Sequence, residues 1–361
     1  MKILKTVHQI VVGAERNDAI TNMAIEIRDV LRTSFHSEIF SYHAPSKDLI
    51  DEIQHLDSLP VGTAEDRIIY HLSFGIPELT QMLLEREEEI ILHYHNVTPS
   101  TRYESLMPDF AEALDYGRKE IELLLPKVSR AFADSQFNAS ELMGFGYESV
   151  TVLPAGLDAH RLDAEPIDPL FLSQLSRHFP HGYILFVSQV LPHKRVEHAL
   201  AMVHLLRTVH RIDVGLVVAG PIRQPAYMHA LEQFRKRLSD CHVLFTGAVS
   251  DSELATLYRD CLCYIGTSEH EGLSVPPLEA MSNWAPVIAR GAGAVPETVG
   301  LGGIVLDADV GILEFTETVA KVVTDAELQS LLRRAGENRI SLIDSRFSKY
   351  ELAQLLLGEL S

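Results

Sequence analysis

The chain has 361 residues, 46% of them apolar, and carries 50 acidic side chains against 31 Lys and Arg, a formal net charge of −19. The length exceeds one typical core and predicts two domains. The acidic balance argues against non-specific nucleic-acid binding and against broad attachment to anionic lipid, since both draw on many Lys and Arg.

Strand-like and helix-like segments alternate from the start. MKILKTVHQIVVG lacks a long apolar h-region and reads as a first strand rather than a signal peptide. AITNMAIEIRDVLR follows as a helix with Ile20, Met23, Ala24, Ile27, Val30 and Leu31 on one face. Gly13 lies just after the first strand, and Asp18 suits the helix N-cap. Short strands recur at SEIFSY, RIIYHL, EIILHYH, RAFADS and SVTVLP, and the longest helical stretch runs from about Tyr103 to Leu125. Prolines and acids then break the rhythm, predicting a linker over 161–181. The alternation restarts with YILFVSQV, VEHALAMVHLLRTV, VGLVVAG, MHALEQFRKRL, HVLFTGAV, SELATLYRD and CLCYIG. This pattern predicts two α/β domains, 1–160 and 182–345, each a doubly wound parallel sheet with helices on both faces. Their ligand crevice belongs at the carboxyl ends of the strands, between the domains, so functional residues should fall just after strands.

No apolar run approaches the roughly 20 residues of a membrane span. The expectation is a cytoplasmic protein, with room for peripheral contact at the inner face of a membrane. Cys241, Cys261 and Cys263 are too few for a disulfide framework, and Cys261 and Cys263 read as alternate, packed residues of one strand.

The most unusual stretch is TSEHEGLSVPPLEAM, where Glu271 and Glu279 have seven residues between them. Pro277 suits a first helical position, which makes 271–276 a connecting loop and puts Glu279 in the first helical turn. Loop N–H groups of Gly272, Leu273, Ser274 and Val275 at a helix start form a ready anion site. A diphosphate held there leaves one carboxylate near each end of a nucleotide-sugar. On spacing alone, Glu279 complementing the helix dipole and Glu271 as a surface acid is an equal reading.

The segment resembles the E-x7-E signature of the retaining GT-B glycosyltransferases of glycosyltransferase family four, through Glu271, Gly272, Ser274, Val275, Pro276, Glu279, Ala280 and Met281. PAGLD (154–158) is similar to that family's P-N-G-V-D, GAVSDSELATLYRDC to its G-x-V-x-x-x-E-L-x-x-L-Y, and FSKYELAQLLL to its terminal F-S-W helix. The resemblance implies a GT-B fold whose last helix, about 346–361, returns to the N-terminal, acceptor-binding domain. It implies that Glu271 touches the donor sugar near the reacting carbon and that Glu279 binds the ribose, with Val249 holding the base through backbone contacts. Lys194 matches a lysine on the donor diphosphate, but Gln189 stands where the family has an arginine; Arg195 or His193 is the candidate substitute. His95, in ILHYHNVTPS, matches a histidine close to the donor sugar. His71 and Asn96 are weaker candidates for the acceptor side, and Gly13 matches only part of a glycine pair near the donor phosphate.

Other motifs carry less. DAD (307–309) follows a late strand and reads as a loop acid pair, and His193 with His198 lacks partners at zinc-ligand spacing. There is no G-x-S-x-G elbow and no G-x-G-x-x-G fingerprint. The expected function is metal-independent, cofactor-free transfer of a hexose from a nucleoside diphosphate sugar to a glycan or lipid-linked acceptor in polysaccharide or glycoconjugate synthesis. A sugar-nucleotide epimerase of the same fold and a non-catalytic sugar-nucleotide or glycan-binding protein are the alternatives.

Overall fold

The structure, a computed structural model, describes residues 5–16, 18–153, 159–239, 241–346 and 349–360. The PAGLD segment, Phe347 and Ser348 lie outside the described residues. The chain divides into two compact units, Met1–Leu157 with Arg346–Ser361, and Asp158–Ser345.

Unit 1 runs β1 (Val7–Val11), α1 (Ala19–Leu31), β2 (Ile39–Ser41), β3 (Ile53–His55), β4 (Arg67–Leu72), α2 (Pro77–Glu85), β5 (Glu89–Tyr94), α3 (Pro108–Leu124), β6 (Val128–Ala133), α4 (Gln136–Gly144) and β7 (Val150–Val152). Its seven strands pair in parallel in the order β3-β2-β1-β4-β5-β6-β7. Every residue of β1 is buried, its polar His8 and Gln9 included, as expected where helices cover both faces of a parallel sheet. Asp18 caps α1, accepting from Thr21 N at 2.9 Å. Chain direction across the sheet reverses between β1 and β4, the topological switch point of this unit.

Unit 2 runs α5 (Pro169–His178), β8 (Tyr183–Val187), α6 (Val196–Thr208), β9 (Gly215–Ala219), α7 (Pro225–Arg237), β10 (Val243–Gly247), α8 (Asp251–Asp260), β11 (Cys263–Gly266), α9 (Val275–Ser282), β12 (Val287–Arg290), α10 (Val295–Val299), β13 (Ile304–Leu306), α11 (Ile312–Thr324) and α12 (Ala326–Arg346). Its six parallel strands follow the order β10-β9-β8-β11-β12-β13, with the switch point between β8 and β11. The fold is GT-B, two α/β units each built on a parallel sheet.

Three sequence expectations are corrected, and one strand is added. The supposed linker contains α5, whose N-cap Asp168 accepts from Leu170 N and Phe171 N, both at 2.9 Å. Arg259 ties the preceding segment to unit 2, donating to the carbonyls of Leu162 and Glu165 at 2.6 and 2.7 Å. The long helix α3 starts at Pro108, because residues 100–102 form a separate 3-10 turn. Strand β3, three residues long, is too short to leave a periodic signal. Cys261 caps α8 and is not on β11, although both Cys261 and Cys263 are buried as a packing role requires.

The last helix, α13 (Lys349–Leu360), belongs to unit 1. Leu352, Leu356 and Leu360 pack into a cluster with Val7, Met23, Ile27 and Leu31, and Arg130 pairs with Glu359 at 3.2 Å. Leu356 is fully buried. Leu356→Ala should therefore cost about 2–5 kcal/mol and lower the melting transition by roughly 5 °C or more. Unchanged melting in a calorimetric scan would remove α13 from this core.

Candidate functional site

The switch point of unit 2 brings together residues 77 positions apart in sequence. Lys194 ends the single turn between β8 and α6, and Glu271 follows β11. Lys194 Nζ donates to Glu271 Oε1 at 2.7 Å, with the two side chains 18% and 12% exposed. The loops are stitched below this pair. Thr267 Oγ1 donates to the carbonyls of Lys194 and Arg195 at 2.8 and 3.1 Å, and Glu269 N donates to the His193 carbonyl at 2.9 Å. Burial, then the charge of Lys194, holds the His193 imidazole well below its usual range.

Helix α9 begins at Val275, two residues earlier than Pro277 suggested, because Ser274 takes the left-handed conformation (φ 72°) at the N-cap and turns the chain sharply. The connecting loop is accordingly 271–274. Pro276 and Pro277 have no N–H, so the donors this helix start can offer an anion come from Gly272, Leu273, Ser274 and Val275. The turn is held from beneath: Glu271 O accepts from Ala294 N at 2.9 Å, and Leu273 O accepts from Thr298 Oγ1.

The early helix start places Glu279 in the second turn, so dipole complementation does not account for it. Glu279 is 7% exposed, and each of its oxygens has a donor. Arg161 Nη2 reaches Oε1 at 2.9 Å, and the Tyr258 hydroxyl donates to Oε2 at 3.1 Å. Arg161 also pairs with Asp251 at the start of α8. Tyr264, on β11, senses both acids: burial, then the charges of Glu271 and Glu279, pushes its phenol well up.

Around this centre the structure places Val249 in the loop from β10 to α8 and Gln189 exposed just after β8. Arg195 adopts φ 56° and pairs with Glu197 and Glu269 at 3.2 and 3.4 Å, so its guanidinium is committed to neighbouring acids. Asp307, of the DAD segment, accepts from Val310 N in a turn after β13. Sequence reasoning missed Arg161, Tyr258, Tyr264, Gly293 and Thr298. The glycine-rich GAGAVPE run was a usable signal for Gly293; Arg161 lay hidden in the supposed linker.

In unit 1, Gly13 is exposed after β1, and a Cβ there would meet nothing within 4 Å. His71 of β4 and His95 after β5 join His93 and Asp134 in one buried cluster. His71 Nδ1 lies 2.8 Å from His95 Nε2, and His95 Nδ1 and His93 Nε2 each lie 2.9 Å from an Asp134 oxygen. Burial, then the charge of His95, pushes His93 down to about 4 and His71 well below its usual range. Burial alone would raise Asp134, yet His95 and His93 hold its carboxyl well below the usual carboxylate range. The three histidines each place a ring nitrogen within 4.8 Å of the others, an arrangement their spacing did not reveal. Asn96, at φ 77°, turns its amide to Asn138 Oδ1 and Glu141 Oε2 at 2.9 and 3.2 Å.

Comparison with known proteins matches residues 179–339 to the glycosyl transferases group 1 family. The chain is 32% identical over 196 residues to an MMP alpha-(1->4)-mannosyltransferase of Mycolicibacterium hassiacum, covering 53% of this chain and 43% of that protein. It is 27% identical over 207 residues to a GDP-mannose-dependent alpha-(1-6)-phosphatidylinositol monomannoside mannosyltransferase of Mycobacterium tuberculosis, covering 54% and 51%. The chain thus spans less than two thirds of the length of these curated relatives. The structure of Anabaena Alr3699/HepE in complex with UDP and glucose superposes with a TM-score of 0.74 over 99% of both chains, at 17% identity, a likeness of fold.

Gly293 sits at φ 59°, and a Cβ there would lie 2.2 Å from Glu271 O. Gly293→Ala should therefore cost about 1–3 kcal/mol in backbone strain, with a further loss as the Glu271 turn is pushed aside. Denaturant unfolding checks this, and wild-type stability would show that the turn rearranges freely.

Proposed function

We infer the activity from the family to which the chain belongs, glycosyl transferases group 1, and from its GT-B fold. The protein transfers a hexose from a nucleoside diphosphate sugar to a glycan or lipid-linked acceptor, with retention at the anomeric carbon. The observation that carries this reading is the 2.7 Å Lys194–Glu271 pair beside the start of α9, with Glu279 one turn further on.

Departure of the diphosphate develops negative charge, so its stabilisation is the main electrostatic task. Lys194 and the amides of 272–275 supply positive charge in place of a divalent cation. As Lys194 engages phosphate, it releases the Glu271 carboxylate, which then orients the sugar ring and supports positive charge on its face. Glu271 is not the nucleophile; the acceptor attacks from the face the diphosphate leaves. Glu279, pinned by Arg161 and Tyr258, is a rigid acceptor for ribose hydroxyls. The backbone around Val249 holds the base. The donors to test first are GDP-mannose, named for a sequence relative, and UDP-glucose, suggested by the structural likeness.

Release of nucleoside diphosphate should require an acceptor, and product NMR should show a retained anomeric configuration. Turnover without acceptor, returning an isomerised sugar nucleotide, would instead identify an epimerase. Glu271→Gln should reduce kcat by about 10²–10³-fold with donor affinity nearly unchanged. Lys194→Ala should weaken nucleoside diphosphate binding by about 10–100-fold. Wild-type turnover in Glu271→Gln would take that residue out of the mechanism.

A further inference from the structure

The turn that carries Lys194 is closed by a residue in an unfavourable backbone conformation. Arg195, between the single turn Pro192–Lys194 and α6, sits at φ 56° and ψ 47°. A side chain there costs energy that a glycine would not. The backbone groups of Arg195 are used on both sides of the turn. Its N–H donates to Pro192 O at 3.1 Å, and its carbonyl accepts from His198 N at 2.9 Å and from Thr267 Oγ1 at 3.1 Å. A glycine would make these bonds equally well, so the backbone alone does not call for an arginine. The side chain adds contacts that the backbone cannot. Arg195 Nε lies 3.2 Å from Glu197 Oε1 and 3.4 Å from Glu269 Oε1, and Nη2 lies 2.9 Å from His198 Nε2. Glu269 belongs to the loop after β11, two residues before Glu271, and its side chain is only 17% exposed. Glu197 is held in turn by the Tyr227 hydroxyl from α7, which also accepts from Val196 N at 3.2 Å at the start of α6.

Two ion pairs therefore join the same two loops of the unit 2 switch point, Lys194–Glu271 and Arg195–Glu269. They differ in what an incoming diphosphate does to them. Lys194 is drawn to the phosphate and leaves Glu271, whereas the Arg195 guanidinium stays between two carboxylates that already exceed its charge. We propose that Arg195 is a positioning residue: through Glu269 it keeps the Lys194 turn and the Glu271 loop in register while the donor diphosphate takes Lys194 away from Glu271. That role rests on the glycosyltransferase reading; the tie between the two loops does not. Both carboxylate contacts run through Nε, so the pairing acts as attraction between charges rather than as a bidentate fork. A lysine ammonium can serve in such a pairing, as it could not in a fork.

The test is a double-mutant cycle of Arg195→Gly and Glu269→Gln, read by denaturant unfolding, by calorimetric titration of GDP and UDP, and by steady-state kinetics. Arg195→Gly accepts the left-handed backbone without strain and removes only the side chain. In unfolding, the two changes should be coupled by about threefold or more in the unfolding equilibrium constant. In turnover, each single variant should lower kcat by about tenfold. Affinity for the nucleoside diphosphate should stay within about threefold of wild type, the split expected of a residue that does not itself touch the ligand. The double variant should be no more than about twofold slower than the slower single one, since both break the same tie. Arg195→Lys should recover most of the kcat lost in Arg195→Gly, a rescue that a purely conformational role would not give. A loss of diphosphate affinity of about tenfold or more in Arg195→Gly with kcat intact would make Arg195 a phosphate contact and overturn the proposal. Wild-type kcat in both single variants, multiplied losses in the double variant, or independent effects on unfolding would overturn it as well. Absence of both nucleotide binding and sugar transfer in the wild type would sink the glycosyltransferase reading and the positioning role with it, while the unfolding cycle decides separately whether the loops are tied.

Discussion

The Lys194–Glu271 ion pair is the contact around which the switch point of unit 2 is built. A doubly wound sheet forces the chain to leave β8 and β11 in opposite directions, and the gap this opens at the strand ends must be lined by loops. One loop supplies a cation and the other a carboxylate. Because both side chains are largely shielded from water, their attraction is stronger than that of a surface pair, and so is the cost of leaving either alone. On the proposed function, an incoming diphosphate offers Lys194 a second anion and thereby alters the environment of Glu271. The framework beneath the pair is anchored on backbone carbonyls: the Thr267 hydroxyl ties the β11 loop to the Lys194 turn, and Ala294 N–H grips the Glu271 carbonyl.

Unit 1 meets the same topological demand with different chemistry. Its switch point is bridged by a buried row of Gln9, His71, His95 and Asp134 rather than by a single ion pair. Burial makes every proton in that row count, because an unmatched donor or charge there has no water to turn to.

Much of this was legible in the sequence. The alternation of apolar strands and amphipathic helices carried the two-unit α/β architecture, and the placement of functional residues after strands follows from parallel-sheet topology. Glu271 and Lys194 were visible as residues that follow strands, and Glu279 as a second acid beyond the same turn. What the sequence concealed has physical reasons. Helix α5 was hidden by the prolines and acids around it, which turned out to be its N-terminal proline and cap. The start of α9 was misplaced because a left-handed serine, rather than a proline, ends the loop. Arg161 and Tyr258 come from segments 118 and 21 residues away from Glu279, so no local pattern marks them. The histidine row draws on β1, β4, β5 and the end of β6, and only strand order brings it together.

The central claim is that the β8–β11 switch point of unit 2 binds a nucleoside diphosphate, with Glu279 as the ribose acceptor. Titration calorimetry of GDP and UDP with wild-type protein and with Glu279→Gln tests it directly. The account predicts that one of the two nucleotides binds the wild type and binds Glu279→Gln about tenfold or more weakly. Binding of neither nucleotide, or binding of a nicotinamide dinucleotide in their place, would contradict it.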